Sequence, residues 1–363
     1  MKKERQKILI VKLSSLGDIV HAAASLKYLK SIKDDQVDIH WLVNEELIPL
    51  VKASGVAKRI IPFNRKIWKK TGNIFSSIKD FLGLIRLLKM EKYDIAIDLQ
   101  CLFRSSIIPF LAKIPRRVGF ERTREGAHFF LNDIALTNKK NVHAVEENLA
   151  AILHAFNIDE IPLPGDIKIS FNIPEEKEKK VEELLKKRNI PRKQFILINP
   201  NSRWQSKKWG ESNFKELIER LLHKTDLHIG VIGTKEERLG IEGLKIIDNK
   251  FHNFAGETDI LELFSLIKKA QLIFTNDSGP MHLASASGIK TIAVFSATSP
   301  DRTGPYWSSS VIKSDVPCSP CFKKKCPLKG EDNMQCMRSI TVNHVYDKII
   351  VLLDKSEDRE QRS

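Results

Sequence analysis

Short apolar runs alternate with helical patterns in two separate series along the 363-residue chain. The first series opens with the apolar run Ile8 to Leu13, which leads into the amphipathic pattern Ile19 to Ile32. The second series opens at Phe195 and closes with the apolar run Thr291 to Phe295. Strands that alternate with helices are typical of parallel β-α-β units in a doubly wound sheet. The sequence therefore predicts an α/β fold with two similar halves and a ligand cleft between them, at the carboxyl ends of the strands.

A proline-rich stretch from Ile161 to Pro174 separates the two series and has the composition of an interdomain connection. We therefore predict an N-terminal domain over residues 1–170 and a C-terminal domain over residues 171–342. The pattern from Val342 to Leu353 predicts a last helix, and the charged residues after it predict a frayed end. Residues 343–363 are accordingly expected to form a C-terminal helix and tail.

No apolar run approaches the roughly 18 residues that a membrane-spanning helix needs. The basic start, Met1 to Lys7, resembles the first part of a signal peptide. The run Ile8 to Leu13 that follows it meets serine and glycine instead of a small-residue cleavage site. We therefore expect a cytoplasmic protein, in which cysteines stay reduced.

The formal net charge of +15 favours an anionic partner. Three classes of partner fit this charge: a nucleic acid, an anionic membrane surface and an acidic substrate. The chain shows no nucleic-acid recognition motif, and many basic residues are interspersed with acids, as in Glu175 to Arg188. The charge alone does not choose between the membrane surface and the substrate.

The first predicted strand ends in the loop Ser14-Ser15-Leu16-Gly17-Asp18, and a helix follows. Gly17 permits a close backbone approach, and the start of the helix offers unpaired N–H groups. The loop contains neither the Gly-x-Gly-x-x-Gly dinucleotide fingerprint nor a Walker motif, which disfavours dehydrogenases and NTPases. Asp18 fits two roles: an N-cap of the helix, or a general base that faces the cleft.

The loop Asn199 to Trp209 follows a predicted strand of the second half and brings together a hydroxyl, a guanidinium and two ammonium groups. Arginine makes fork-like contacts with phosphate and lysine acts as a point charge, so the loop suits a diphosphate. It suits equally well a basic surface loop anchored by Trp204 and Trp209. The polar residues concerned are Ser202, Arg203, Lys207 and Lys208.

The loop Asn276 to His282 is again a glycine-containing turn between a strand and a helix. Gly279 would bring backbone N–H groups close to an anion at the helix N-terminus. Taken singly, Asp277 reads as a helix cap and His282 as a core or capping imidazole. Together with the basic loop they make a candidate cradle for a nucleotide diphosphate. Glu236, or its neighbour Glu237, follows another predicted strand and fits either a contact with ribose hydroxyls or a solvated helix start.

The chain contains five cysteines. Cys101 stands alone in an apolar region, where we expect a packed core thiol. The other four form the pattern C-x₂-C-x₄-C-x₉-C near the C-terminus, with prolines between them. This spacing fits a structural zinc or iron–sulfur site, and it also fits a proline-stiffened loop of reduced thiols. These four residues are Cys318, Cys321, Cys326 and Cys336.

Four segments resemble glycosyltransferase family 9, the bacterial heptosyltransferases that build the lipopolysaccharide inner core. Ile10 to His21, with the sequence Ile-Val-Lys-Leu-Ser-Ser-Leu-Gly-Asp-Ile-Val-His, looks like the N-terminal signature of the family, and Asn276 to His282 like its donor-site signature. Asp98 to Arg104 resembles the acceptor-side segment, with Cys101 in place of a usual glycine. His143 to Leu149 looks like a segment of the first heptosyltransferase in the pathway, although that form usually has Asp-Arg where this chain has Glu-Glu.

The resemblance covers nearly the whole chain and implies a GT-B fold, in which two facing Rossmann-like domains with parallel sheets enclose a cleft. The acceptor would bind the N-terminal domain and the nucleotide sugar the C-terminal one. The implied reaction is an inverting transfer of L-glycero-D-manno-heptose from ADP-heptose to a Kdo sugar of the lipid A core. One alternative is a family member that adds a later heptose or another sugar. An alternative of another class is a basic nucleic-acid-binding protein, which would show strongly salt-dependent binding and no affinity for ADP.

The resemblance also implies roles for individual residues. Asp18 matches the general base, and Lys207 matches a cation that contacts the donor phosphates and helps the leaving group depart. The other donor-binding residues implied are Ser202, Arg203, Glu236, Asp277, Ser278, Gly279 and His282. The acceptor-binding candidates are Ser15, Gly17, Arg65, Arg104 and Arg122.

Catalysis in this scheme requires no metal cofactor, since protein cations face the diphosphate. The expected partners are ADP-heptose and a Kdo-lipid A acceptor, and no nucleic acid. We further expect a monomer in peripheral contact with the cytoplasmic face of the inner membrane.

Overall fold

The computed structural model describes residues 5–64, 74–137, 142–160, 162–307 and 309–360. The chain divides into two compact units, Met1–Asn172 and Ile173–Ser363. Each unit contains a sheet of parallel strands with helices between consecutive strands. The α/β fold predicted from the sequence is thereby confirmed.

In the first unit, the described residues form a six-stranded parallel sheet in the order β3-β2-β1-β4-β5-β6. The strands are β1 (Gln6–Val11), β2 (Val37–Asn44), β3 (Arg59–Phe63), β4 (Ile95–Asp98), β5 (Arg116–Phe120) and β6 (Asp133–Ala135). The helices are α1 (Leu16–Lys33), α2 (Ile48–Ser54), α3 (Ile74–Glu91), α4 (Phe103–Leu111) and α5 (Ala144–Ala155).

The central strand β1 is apolar along most of its length because both faces of the sheet are covered. Ile8, Leu9, Ile10 and Val11 are fully buried, as expected for a parallel strand with helices on both sides. Helix α1 starts directly after the loop that follows β1. Acidic Asp18 lies in its first turn and basic Lys30 and Lys33 in its last, which suits the helix dipole.

The sheet order reverses between β1 and β4, since β2 and β3 continue on one side of β1 and β5 and β6 on the other side of β4. The two strands are in register from Ile8 opposite Ile95 to Val11 opposite Asp98. In open α/β sheets, ligands bind outside the carboxyl ends of the strands at such a reversal. The loops after β1 and β4 therefore lie where a ligand site is expected in this unit.

The second unit repeats this arrangement in the order β12-β11-β10-β7-β8-β9. The strands are β7 (Phe195–Asn199), β8 (His228–Val231), β9 (Phe251–Asn253), β10 (Leu272–Asn276), β11 (Lys290–Phe295) and β12 (Ser309–Lys313). The helices are α6 (Glu175–Lys187), α7 (Glu211–Lys224), α8 (Arg238–Glu242), α9 (Ile260–Lys269), α10 (Gly279–Ser287), α11 (Pro300–Thr303), α12 (Gln335–Arg338) and α13 (Val342–Glu360).

Here the order reverses between β7 and β10. The loop after β7 is the basic segment that ends at Trp209, and the loop after β10 contains Asp277. The core beneath them includes Trp209, Phe214 and Phe274, whose rings meet edge-on or tilted at 5.1 to 5.5 Å between centroids. These aromatic contacts fix the base of the second loop pair.

Several elements differ from the sequence-based expectations. The last helix, α13, continues to Glu360, past the expected end at Leu353. The helix whose start was expected at Glu236 or Glu237 is short: α8 covers Arg238–Glu242, with Glu237 as its N-cap. The strands β5, β6, β9 and β12 were not expected. Of these, β6, β9 and β12 lie at an edge of their sheet, whereas β5 lies between β4 and β6. Among the described helices, none combines the length and the apolar character needed to cross a lipid bilayer.

Candidate active site

The loop after β1 holds Asp18 in a fixed orientation. Ser15, rather than Asp18, is the N-cap of α1. The Oδ2 of Asp18 accepts hydrogen bonds from the Ser15 N–H at 2.6 Å and from the Ser15 hydroxyl at 2.8 Å. On the other side, the Nζ of Lys12 lies 3.6 Å from the Oδ1 of Asp18. The Asp18 side chain is still 37% exposed, so a substrate hydroxyl can reach it.

Asp98, at the end of β4, organises the neighbouring loop. Its buried carboxylate accepts hydrogen bonds from the N–H groups of Gln100 and Cys101 and from the hydroxyls of Ser105 and Ser106. Burial raises the pKa of Asp98, and these hydrogen bonds oppose that shift. Asp98 thereby ties the loop to the first turn of α4, a structural role that leaves no oxygen obviously available for chemistry.

The two loops also contact each other. The Oε1 of Gln100 accepts a hydrogen bond from the Ser14 N–H at 3.3 Å. Cys101 is buried, as expected for a core thiol, and burial raises its pKa. Its φ of 47° lies in the left-handed region, which explains why the family resemblance has glycine at this position.

The acceptor-side candidates are only partly brought together. Ser15 contacts Asp18 directly, and Gly17 is buried in the first turn of α1. Arg104 is half-buried on α4. The guanidinium of Arg122 lies 3.6 Å from Glu147, one of the two glutamates that depart from the family pattern. Arg65 lies outside the described residues.

In the second unit, Asp277 is the centre of the candidate donor site. Its side chain is 6% exposed, and its Oδ2 lies 2.5 Å from the Nζ of Lys207. The hydroxyl of Thr298, which follows β11, donates to the same oxygen. The Ser202 hydroxyl donates to the main-chain carbonyl of Asp277 at 3.0 Å. The structure therefore brings together Ser202, Lys207 and Asp277, as predicted from the sequence.

Two asparagines connect the loops after β7 and β10 through hydrogen bonds. Asn276 donates from Nδ2 to the carbonyl of Pro200 at 2.6 Å and accepts from the Trp209 N–H at 3.1 Å. Asn199 donates from Nδ2 to the hydroxyls of Thr275 and Ser278 at 3.0 and 2.7 Å. These side chains are predominantly buried, so their hydrogen bonds hold the two loops in register.

Helix α10 points its N-terminus at this site. Ser278 is its N-cap, so the role of helix cap belongs to Ser278 and not to Asp277. Gly279 opens the helix, and His282 is buried in its first turns. An N-terminus of this kind favours an anion through its N–H groups and its dipole. Arg203 is exposed at the rim of the loop after β7.

The two candidate ribose-binding acids differ in position. Glu237 accepts a hydrogen bond from the Thr234 N–H at 2.8 Å and so closes its own turn. Glu236 is exposed, and its own N–H and the Thr234 side chain lower its pKa. A Cβ placed on Gly233 would lie 3.1 Å from Glu237 Oε2 and from Asn201 Nδ2, so the Glu237 carboxylate lies close to the loop after β7.

The cysteine-rich segment lies against the donor loops. Ser206 bonds to the carbonyls of Lys323 and Lys324, and Phe322 to that of Ala297. Burial raises the pKa of Cys336, with smaller effects from Cys318 and Cys321. Among the described residues, no group of three or more His, Cys, Asp or Glu side chains is placed to hold a metal ion. As placed, the thiols do not form a ligand set, and the zinc or iron–sulfur site stays a prediction that metal analysis of the purified protein tests.

Sequence reasoning assigned no role to Lys12 or Thr298. Lys12 interrupts the apolar run Ile8 to Leu13. Because a lysine is rarely buried unless it is paired, this position could have indicated a buried lysine with a charged partner. The local sequence does not indicate a role for Thr298. Its hydrogen bond to Asp277 spans 21 positions and forms only when β10 and β11 pair.

The chain is similar to known proteins over most of its length. The family model for glycosyltransferase family 9 (heptosyltransferase) matches residues 81–331. Lipooligosaccharide heptosyltransferase 2 of Campylobacter jejuni is 27% identical over 350 residues, which cover 94% of this chain and 96% of the relative. Lipopolysaccharide heptosyltransferase 1 of Pseudomonas aeruginosa is also 27% identical, over 334 residues that cover 88% and 87%.

Among solved structures, the ADP-heptose lipopolysaccharide heptosyltransferase II of E. coli superposes with a TM-score of 0.76 at 22% identity, over 97% of this chain and 100% of that one. This similarity shows the fold and confirms the GT-B class. The family model covers well over half of the chain. The protein therefore belongs to glycosyltransferase family 9.

Proposed function

We propose that the protein transfers L-glycero-D-manno-heptose from ADP-heptose to a Kdo sugar of the lipopolysaccharide inner core, with inversion at the anomeric carbon. The observation that carries this proposal is the paired acidic and cationic groups at the two strand-order reversals, Asp18 after β1 and Lys207 with Asp277 in the second unit. The relatives include both heptosyltransferase 1 and heptosyltransferase 2, and this similarity supports the sugar and the pathway.

In the proposed reaction, a hydroxyl oxygen of the acceptor attacks the anomeric carbon from the face opposite the diphosphate. The new carbon–oxygen bond forms as the bond to the diphosphate oxygen breaks, and that electron pair leaves with ADP. The proton of the hydroxyl passes to the carboxylate of Asp18 as general base. Ser15 holds the carboxylate through two hydrogen bonds, so its orientation is set before substrate arrives.

Negative charge develops on the departing diphosphate. Lys207 and the N-terminus of α10 provide positive charge where that diphosphate would lie, and Arg203 adds an exposed guanidinium. Ser202, Ser278, Gly279 and His282 complete the proposed donor cradle, and Glu236 or Glu237 contacts the ribose. The proposal assigns charge stabilisation to these groups and requires no metal cofactor.

Among the possible acceptors, we propose the Kdo sugar that receives the first heptose. The support is the segment His143 to Leu149, which resembles first-step enzymes, although Glu147 departs from their pattern and pairs with Arg122. Relatives of both steps match at the same identity, so the assay must compare both acceptors.

The test is ADP release from ADP-heptose with a deacylated Kdo-lipid A acceptor, compared with an acceptor that already carries one heptose and with UDP-sugars as donors. We expect turnover with ADP-heptose and the first acceptor. Asp18→Asn should fold normally and lose at least about 100-fold in kcat, the lower range for a lost general base. Turnover only with UDP-sugars would overturn the donor assignment, and full activity of Asp18→Asn would overturn the base.

We also propose that the first unit contacts an anionic membrane surface, where a lipid-linked acceptor would be presented. Phe103, Phe110 and Phe129 are 39%, 43% and 76% exposed, and Phe103 and Phe110 each meet the ring of Phe130 at 5.4 Å. We call these four residues the aromatic face.

The segment from Phe103 to Phe130 contains six basic and two acidic residues, and the guanidinium of Arg117 lies 5.5 Å from the Phe110 ring. Exposed aromatic rings beside basic side chains are typical of proteins that bind anionic lipid.

A further inference from the structure

Lys12 is a buried lysine that directly follows the central strand β1 of the first unit. Lys12 is 6% exposed, and its neighbours Val11 and Leu13 are buried apolar residues. Moving an ammonium group out of water is unfavourable unless charged or hydrogen-bonding partners compensate it. The position therefore calls for an explanation beyond packing.

The backbone of Lys12 is fixed from the side of β2. Its N–H donates to the carbonyl of Leu42 at 3.3 Å, and its carbonyl accepts from the indole N–H of Trp41 at 3.1 Å. The side chain leaves this anchored position toward the loops after β1 and β4. Its Nζ donates to the carbonyl of Leu99 at 2.5 Å and lies 3.6 Å from the Oδ1 of Asp18.

The two oxygens of Asp18 consequently have different surroundings. Oδ2 accepts two hydrogen bonds from Ser15, which hold the carboxylate in one rotation. Oδ1 faces the ammonium of Lys12 at 3.6 Å. We infer that Lys12 is a positioning residue for the proposed general base: it directs Oδ1 of Asp18 toward the acceptor hydroxyl and favours the ionised carboxylate. This inference rests on the proposed function of Asp18.

Other ionisable groups surround this pair. Asp98 and Cys101 belong to the loop after β4, and Lys12, Asp98 and Glu147 of α5 all act on the thiol of Cys101. His21, one turn after Asp18 on α1, is buried, and its ring meets that of His143 at 5.1 Å. Among these groups, Lys12 places its ammonium 3.6 Å from the Asp18 carboxylate. Its loss should therefore make Asp18 easier to protonate.

The test is the pH profile of kcat/KM for Lys12→Met and Lys12→Gln in the full-length protein. Both variants remove the charge, and glutamine keeps a donor for the Leu99 carbonyl, so it serves if the methionine variant does not fold. We expect the acid limb to move upward by about one pH unit, because an adjacent opposite charge shifts a carboxylate by that order. We expect kcat at pH 8 to fall at least about tenfold, with the KM for ADP-heptose unchanged, since Lys12 lies in the acceptor-side unit.

Lys30→Met is the matched control, because Lys30 also forms an ion pair on α1, with Asp34 at 3.1 Å, on the exposed side of the helix. Its pH profile should equal that of the wild type. An unmoved acid limb in both Lys12 variants, with Asp18→Asn inactive, would overturn the positioning role and leave the proposed base intact. An active Asp18→Asn would instead overturn the proposed base itself.

Discussion

The Nζ of Lys207 lies 2.5 Å from the Oδ2 of Asp277, and the two side chains are 16% and 6% exposed. The same ammonium lies 4.8 Å from the centre of the Trp204 ring. Lys207 is thus held by a carboxylate and an aromatic face before any donor binds. A cation that is already in place does not have to reorganise as charge develops on a leaving group, and such preorganisation is a major source of catalysis.

Replacement of Lys207 by methionine should therefore slow the chemical step. We expect Lys207→Met to lower kcat by about 100-fold or more and to weaken ADP binding, because one preorganised cation at a leaving group has effects of this size. Steady-state kinetics and calorimetric titration with ADP measure the two quantities. Lys215→Met is the matched control, since Lys215 of α7 also forms an ion pair, with Glu219 at 3.7 Å, outside the candidate site, and it should retain near wild-type kinetics.

Removal of Lys207 also leaves Asp277 buried without its cation, which is destabilising in itself. The double variant Lys207→Met/Asp277→Asn relieves this problem and should regain thermal stability without regaining activity. Equal activity of Lys207→Met and Lys215→Met would show that Lys207 has no role in the mechanism.

Thr298 should matter for donor binding although it lies outside both predicted loops. Its hydroxyl donates to the Oδ2 of Asp277, the oxygen that also faces Lys207. A hydrogen bond to a charged group contributes about 1.5–3 kcal/mol to stability, so Thr298→Val should destabilise the protein by that order. Because Asp277 in turn holds Lys207, Thr298→Val should also weaken ADP-heptose binding. Thr298→Ser keeps the hydroxyl and should bind nearly as well as the wild type. Equal affinities for the valine and serine variants would show that this hydrogen bond is dispensable.

The central part of each sheet could be predicted from the sequence because buried parallel strands are continuous apolar runs. The runs at Ile8, Phe195, Leu272 and Thr291 all correspond to observed strands. The edge strands β6 and β9 contain only three residues each, and β12 is half exposed, so their apolar signal is weak. An edge strand is defined by the neighbour it pairs with, and the local sequence does not contain that information.

The same distinction applies to the site. Asp18, Ser202, Lys207 and Asp277 could be predicted because each lies in a glycine or polar turn directly after an apolar strand. Contacts between side chains that are far apart in sequence could not be predicted. The pairing of Asn276 with Pro200, 76 positions away, and the approach of Lys12 to Asp18 depend on strand order and rotamers that only the folded chain defines.

The aromatic face should control membrane binding. The double variant Phe110→Ser/Phe129→Ser should reduce flotation with vesicles of phosphatidylglycerol by about tenfold. Transfer of the two exposed rings from water into lipid should contribute more than about 1.4 kcal/mol to membrane binding. Binding to phosphatidylcholine vesicles should be weak for all variants, because the flanking arginines are attracted electrostatically to anionic lipid only. Phe322→Ser, at an exposed phenylalanine of the second unit, is the control and should bind like the wild type.

Activity provides a second readout for this face. Turnover of a deacylated acceptor in solution should be unchanged in the double variant, whereas turnover of an acylated acceptor in vesicles should fall. Unchanged flotation would contradict the membrane role. A change in oligomeric state by light scattering would show instead that the aromatic face is an interface between copies of the chain.

A pair of histidines should make the second unit sensitive to mild acid. The Nδ1 of His228 lies 2.9 Å from the Nε2 of His252, and the rings are stacked. Burial, together with the charges of His228 and Arg188, lowers the pKa of His252 to about 4. Burial also lowers the pKa of His228. An unfolded histidine titrates near 6.5. Between about pH 6.5 and 4 the unfolded chain therefore binds more protons than the folded one.

The stability contributed by neutral His252 is thus complete above pH 6.5 and is lost as the pH falls toward 4. The full effect is of the order of 3 kcal/mol, since each pKa unit corresponds to about 1.4 kcal/mol. We expect the Tm of the wild type to fall between pH 7 and pH 5, and we expect His252→Gln to flatten that fall, because glutamine can still bond to His228 but does not titrate. His344→Gln, at an exposed histidine of α13, should follow the wild-type curve. If His252→Gln and His344→Gln showed the same pH dependence, the acid sensitivity would have to come from other groups, such as the carboxylates of Asp259 and Glu262. Hydrogen bonds from backbone N–H groups and from Lys177 hold the pKa values of both below their usual range.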